Sequence, residues 1–99
     1  MNMQNLMAQA QRMQREITAK KEELEKMEFI GKSEWVEIKF NGAREILNVK
    51  IIKDGMIDEE DKEILGDMIQ IATNDAFIQI NKAMNDKLGQ YAGAFDGLM

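Results

Sequence analysis

Asp61 to Ala76 reads DKEILGDMIQIATNDA, and this stretch decides the fold. Set at about 100° per residue, its apolar side chains fall into two stripes, the mark of a helix that packs on two sides. Continued to Leu88, the first stripe collects Leu65, Ile69, Ala72, Ala76, Ile80 and Ala83, whose small members permit close approach to a sheet. The second collects Ile64, Met68, Ile71 and Ile78. A chain of 99 residues has few surfaces with which to cover both. The second stripe is therefore expected to face another subunit, and its four residues are the expected dimer interface. The helix is expected from about Glu59 to Leu88, with Asp58 as N-cap and acidic residues in the first turn, where the helix dipole favours them.

Upstream, the period changes from helical to alternating. Trp35 to Phe40 sets Val36, Ile38 and Phe40 against Glu37 and Lys39, a strand with one buried face. Asn41-Gly42 marks a turn, since both residues tolerate positive φ. Glu45 to Ile52 is the return strand, with Leu47, Val49 and Ile51 on one side, and Phe29 to Ser33 is a short further strand. Three strands need a helical lid, which the Asp61–Ala76 helix supplies. At the start, Met3, Leu6, Ala10, Met13, Ile17, Leu24 and Met27 recur at three-and-four spacing, interrupted by Lys20. They predict a helix from about Asn5 to Met27 with one narrow apolar stripe. Such a helix is about 35 Å long, the diameter of a domain this size, so part of it must project or pack on a second subunit. The expected fold is α+β: a helix, a three-stranded antiparallel sheet and a helix, forming a homodimer with projecting helices. Residues 1–88 form the expected single domain. Residues 89–99, with Gly89, Gly93 and Gly97, are expected as a flexible tail apart from Tyr91 and Phe95.

Composition narrows the chemistry. The chain has no cysteine and no histidine, which removes disulfides, thiolate metal sites and the commonest general base. No apolar run approaches the ~18 residues of a membrane span, and neither a signal peptide nor a lipid anchor is indicated. Asp54-Gly55-Met56-Ile57-Asp58 has the look of a calcium loop, but Lys50 and Ile52 would occupy its first and third ligand positions, and neither coordinates a hard cation. Asp67, Asp75 and Asp86 lie scattered along a helix with no nucleophile–base pair, and Asp75, between the stripes, is expected to hydrogen-bond a loop or a neighbouring subunit. No catalytic residue, metal, cofactor, membrane or small-molecule substrate is expected.

The formal net charge of −5 argues against a nucleic-acid partner until its distribution is read. Residues 54–67 hold seven acids and one lysine, a balance of −6. Residues 1–21 hold Arg12, Arg15, Lys20 and Lys21 against Glu16, a balance of +3. Screening over about 8–10 Å lets a basic face act apart from a distant acidic one.

The wording of the chain also carries a resemblance. Leu65 to Ala76 follows the pattern L-x-D-[LM]-[IV]-x-x-A-x-N-D-A. Asn5-Leu6-Met7 with Gln9-Ala10-Gln11 and Met13-Gln14 follows N-L-M-x-Q-A-Q-x-M-Q. Gly31-Lys32-Ser33 and Val36 to Gly42 stand as a strand pair between them. In this order the pieces resemble the YbaB/EbfC family of nucleoid-associated proteins across roughly nine-tenths of the chain. The resemblance implies a dimer that projects its helices like tweezers and grips double-stranded DNA with helical regions near both termini. It places the DNA contacts at Arg12, Arg15, Lys20, Lys21, Lys82 and Lys87. The contacts it implies are to the phosphate backbone, with low sequence specificity, in the cytoplasm at the nucleoid, affecting its organisation and gene expression. A dimeric protein–protein adaptor without nucleic-acid binding is the alternative. The chain departs from the family pattern at Ser33-Glu34-Trp35, where a glycine-rich joint is shortened, at Arg44, where a small turn residue is usual, and in having no proline. Trp35 is thereby a candidate exposed contact.

Overall fold

A computed structural model of the chain describes residues 2–91. Helix α1 spans Met3–Lys26, strands β1, β2 and β3 span Glu28–Lys32, Val36–Asn41 and Ile46–Ile51, and helix α2 spans Lys62–Leu88. The sheet is antiparallel in the order β1-β2-β3, which is the expected α+β arrangement. Helix α1 opens two residues earlier than periodicity indicated because the Asn2 side chain accepts the Gln4 amide at 3.0 Å, satisfying one orphan N–H of the first turn. Asp58 opens a 3₁₀ turn, Glu59–Asp61, rather than α2 itself, and its own amide donates to the Asp61 carboxylate at 3.0 Å.

The core lies between the sheet and α2. Val36, Ile38 and Phe40 alternate inward along β2 and meet Ala72, Ala76 and Ile80 of α2, with Phe29 of β1 and Leu24 of α1 closing the ends. Alanines bring α2 close enough that Gly31 of β1 has no room for a side chain. A Cβ there would overlap the Ala72 carbonyl oxygen and stand 2.8 Å from the Ala76 Cβ. Because α2 packs along β1 and β2, β3 lies outside its cover, and all six β3 residues are exposed. This explains two departures from the stripe reading. Ile69 falls on the flank of α2 towards β3 and is 41% exposed, whereas Met68 packs against the core cluster. Trp35 also packs on that cluster, half-buried, with the Lys53 ammonium 5.1 Å from its ring centre, so it is no exposed contact.

The β2–β3 turn differs from the expected two-residue form. Asn41 holds it together by accepting the Ala43 and Glu45 amides on its side-chain oxygen at 2.9 and 3.0 Å. The left-handed residue is Arg44, at φ 64°, and not Asn41 or Gly42. That conformation costs a side-chain-bearing residue about 1–2 kcal/mol, offset here because the guanidinium donates to the Asn81 side chain and lies 5.6 Å over the Phe77 ring. Gly42 is required for another reason: it passes directly beneath the Leu24 carbonyl, with no space for a Cβ.

Helix α1 runs antiparallel to the end of α2. Ile17 packs with Leu88 and Tyr91, the Tyr91 hydroxyl donates to Glu16 at 2.9 Å, and Lys87 pairs with Glu23 at 3.3 Å. The packed unit therefore passes residue 88 through a second 3₁₀ turn, Gly89–Tyr91. Gly93, Phe95 and Gly97 lie outside the described residues. On α1 the buried residues are Ile17 and Leu24, so among the described residues Met3 to Glu16 extends about 20 Å beyond the first buried side chain. The described molecule measures 69 × 20 × 16 Å.

Candidate nucleic-acid interface

The projecting half of α1 is helical because it is free of glycine and proline and rich in glutamine, alanine and methionine, all good helix formers. Arg12 and Arg15 stand about 140° and 160° around the helix from the packed Ile17, three residues apart and therefore neighbours on the outer face. Both are exposed. Lys20 and Lys21 do not continue that face. They fall about 60° and 40° from Ile17, on either flank of the packed line, Lys20 half-buried and Lys21 exposed.

The two lysines of α2 also part company. Lys82 is exposed but lies about 160° from Met84, on the far side of α2 from α1. Lys87 is held by Glu23 across the helix pair, so its charge is already partnered. Sequence reading did not detect that partner, 64 positions away, because no local pattern relates the two residues. Nor did it detect the Glu16–Tyr91 bond, which ties α2 to the base of the projecting helix. Desolvation, and then the neighbouring Glu16 carboxylate, raise the Tyr91 phenol above its ordinary value of 10.0.

Of the expected dimer residues, Ile64, Ile71 and Ile78 are 42%, 50% and 68% exposed. They lie on the flank of α2 that carries Asp75. Within the chain, Asp75 bonds the end of a strand rather than a loop. Its carboxylate accepts the Lys32 amide at the end of β1, at 3.0 Å.

The antiparallel helices send the basic start of α1 and the acidic start of α2 to opposite ends of the 69 Å molecule. That distance is many screening lengths of about 8 Å, so the negative total charge does not cancel the field of the arm. Within the acidic end, Asp61 pairs with Lys53 at 3.7 Å, and among the described residues no three or more acids converge as a metal site would require. No helix among the described residues is long and apolar enough to cross a membrane.

The described residues thus form a small α+β domain with a projecting helical arm that exposes Arg12 and Arg15. The chain belongs to the YbaB/EbfC DNA-binding family, whose model matches residues 1–95. It is 42% identical over 93 residues to a nucleoid-associated protein of Lactococcus lactis subsp. cremoris (strain MG1363), covering 92% of this chain and 93% of that one. It is 41% identical over 95 residues to a nucleoid-associated protein of Streptococcus pyogenes serotype M5 (strain Manfredo), covering 94% of this chain and 95% of that one. The family is one of DNA-binding proteins, not a class of enzymes.

Proposed function

We propose that this protein is a non-enzymatic, nucleoid-associated protein that grips double-stranded DNA as a homodimer, with low sequence specificity. The observation that carries the reading is the Arg12–Arg15 pair, exposed on the part of α1 that lies ahead of its first buried residue, Ile17. Arginine at such a site offers a fixed fork of donors to phosphate oxygens. Lys21 and Lys82 add positive charge at the base of the arm and on the far side of α2. Lys20 and Lys87 contribute less, one half-buried and the other paired with Glu23. A straight helix with two arginines reads backbone shape and charge more than base edges, which favours low specificity and a role in nucleoid organisation and gene expression. The names of the relatives support the same location, at the nucleoid.

Dimerisation doubles the grip by symmetry. It also offers cover for apolar surface that one copy leaves bare, including Ile64, Ile71 and Ile78. The test is fluorescence anisotropy with a labelled duplex at two salt concentrations. Affinity is expected to fall steeply with salt. The Arg12→Glu/Arg15→Glu variant is expected to bind more weakly, its salt slope shallower by about one unit for each phosphate it no longer neutralises. Absence of binding at low salt refutes the proposal and leaves the protein–protein adaptor.

A further inference from the structure

Helix α1 carries one apolar line, and only its second half is buried. Leu24 sits in the core between sheet and α2, and Ile17 packs with Leu88 and Tyr91. Met13, Ala10 and Leu6 continue the same line, falling within about 40° of Ile17 at about 100° per residue. Yet Met13 is 44% and Leu6 43% exposed, and Ala10 is exposed as well. No side chain from Asn2 to Gln11 is ionised. This face therefore offers phosphate no charge, and it suits an apolar occupant.

The other helix brings one to it. Leu88 and Tyr91 meet Ile17, and the Tyr91 hydroxyl donates to Glu16 at 2.9 Å. The chain thus passes beyond the described residues at the level of Glu16, heading along α1 towards its start. Residues 92–99 read AGAFDGLM. Leu88, Tyr91, Phe95 and Leu98 recur at three-four-three spacing, the repeat that Met3, Leu6, Ala10, Met13 and Ile17 show on α1. Carried past Tyr91 at about 100° per residue, Phe95, Leu98 and Met99 share one face, and Gly93, Asp96 and Gly97 fall outside it. In an antiparallel pair each residue gained on one helix meets one lost on the other. From Tyr91 at Ile17, that rule sets Phe95 at Met13 and Leu98 at Ala10.

We propose that residues 92–99 dock on α1 of the same chain, Phe95 against Met13 and Leu98 against Ala10, with the Tyr91–Glu16 bond as the pivot. The contact prolongs an interface the fold already has, from Leu24 through Ile17 to Ala10. Because Tyr91 is already fixed beside Glu16, the next residues reach Met13 without closing a loop, an advantage that no second copy shares. Docking fastens the base of the arm and stops short of Met3 and Leu6. It leaves Arg12 and Arg15 open, since they stand about 140° and 160° around the helix from Ile17. The inference goes beyond the DNA-binding reading and does not depend on it.

The chain has no cysteine, so an engineered pair reports proximity without background. Met13→Cys/Phe95→Cys and the control Gln11→Cys/Phe95→Cys, both checked for native circular dichroism, are oxidised, and the products are sized under denaturing conditions. Gln11 lies about 120° around α1 from Ile17. A disulfide within one chain that forms several-fold faster in the Met13 pair than in the control is the expected result. Equal rates, or no disulfide, overturn the docking, and a product of doubled mass overturns it in favour of a second copy as the occupant. Amide exchange without DNA gives the independent check. In Phe95→Asp/Leu98→Asp, exchange from Ala10 to Arg15 is expected to quicken several-fold while that of the three strands is unchanged. Unchanged exchange from Ala10 to Arg15 overturns the proposal. None of these outcomes bears on the anisotropy titration, so failure here and failure of the DNA-binding reading are told apart.

Discussion

Replacing a glycine by alanine should have opposite effects at two positions in this protein. At Gly31 the new methyl would overlap the Ala72 carbonyl oxygen and lie 2.8 and 2.9 Å from the Ala76 Cβ and amide nitrogen. All three atoms belong to the backbone of α2 or are fixed to it, so none can rotate away. The helix must lift from β1, loosening the packing of Phe29, Ala72 and Ala76 and stretching the Asp75–Lys32 and Gln79–Ile30 bonds. Overpacking a core costs about 1–3 kcal/mol, and a clash against rigid atoms belongs at the upper end. At about 4–8 °C per kcal/mol for a domain of this size, Gly31→Ala should melt about 12–24 °C below the parent. At Gly66, within α2, a Cβ meets nothing within 4 Å. There alanine removes the flexibility of glycine from a helix and should raise stability by up to about 1 kcal/mol. Thermal melts followed by circular dichroism, at one fixed protein concentration, measure both. A Gly31→Ala variant that melts within about 2 °C of the parent would refute the close helix–sheet contact.

Three further outcomes follow from the polar contacts. The raised Tyr91 phenol gives stability that is present below the unfolded-state value near 10 and is lost as pH rises through the folded one. Melting temperatures at about pH 8 and about pH 11 should therefore fall less in Tyr91→Phe than in the parent, and equal falls would discount the Glu16 contact. Asp75→Ala removes the acceptor of the exposed Lys32 amide and should cost about 0.5–1.5 kcal/mol in urea unfolding. A change below ~0.5 kcal/mol would mean that this lock contributes nothing. Lys87→Met breaks a partly exposed ion pair with Glu23, so it should change stability by less than about 1 kcal/mol. It should also weaken DNA binding less than Lys82→Met does, and the reverse order in anisotropy titrations would show that Lys87 reaches the nucleic acid despite Glu23.

Local pattern carried most of the fold. The alternation Val36-Glu37-Ile38-Lys39-Phe40 and the small residues Ala72 and Ala76 indicated which faces would meet, since burial repeats with the period of the element. Ile69 was misplaced because periodicity tells which way a side chain points but not how many strands the helix covers. Arg44 was legible as an oddity and not as the left-handed residue, because its compensating partners, Asn81 and Phe77, lie more than thirty positions away. The candidate site divided along the same line. Arg12 and Arg15, on the exposed face opposite Ile17, could be placed from helical geometry alone. The status of Lys87 and the anchoring of Tyr91 depended on how α1 crosses α2, which no local pattern encodes.

The two buried side chains of α1 have a consequence for how the arm behaves in time. On the N-terminal side of Ile17, among the described residues, the helix is stabilised by its own backbone, the Asn2 cap and the Tyr91–Glu16 bond at its base, with no buried side chain. A segment of that length is marginally helical by itself in water. Amide exchange should therefore be fast near Met3 and slow steadily towards Leu24, a gradient that unfolding of the whole domain would not produce. Binding by such an arm includes a folding step, so its enthalpy and heat-capacity change should exceed those of a rigid arginine pair on a preformed surface.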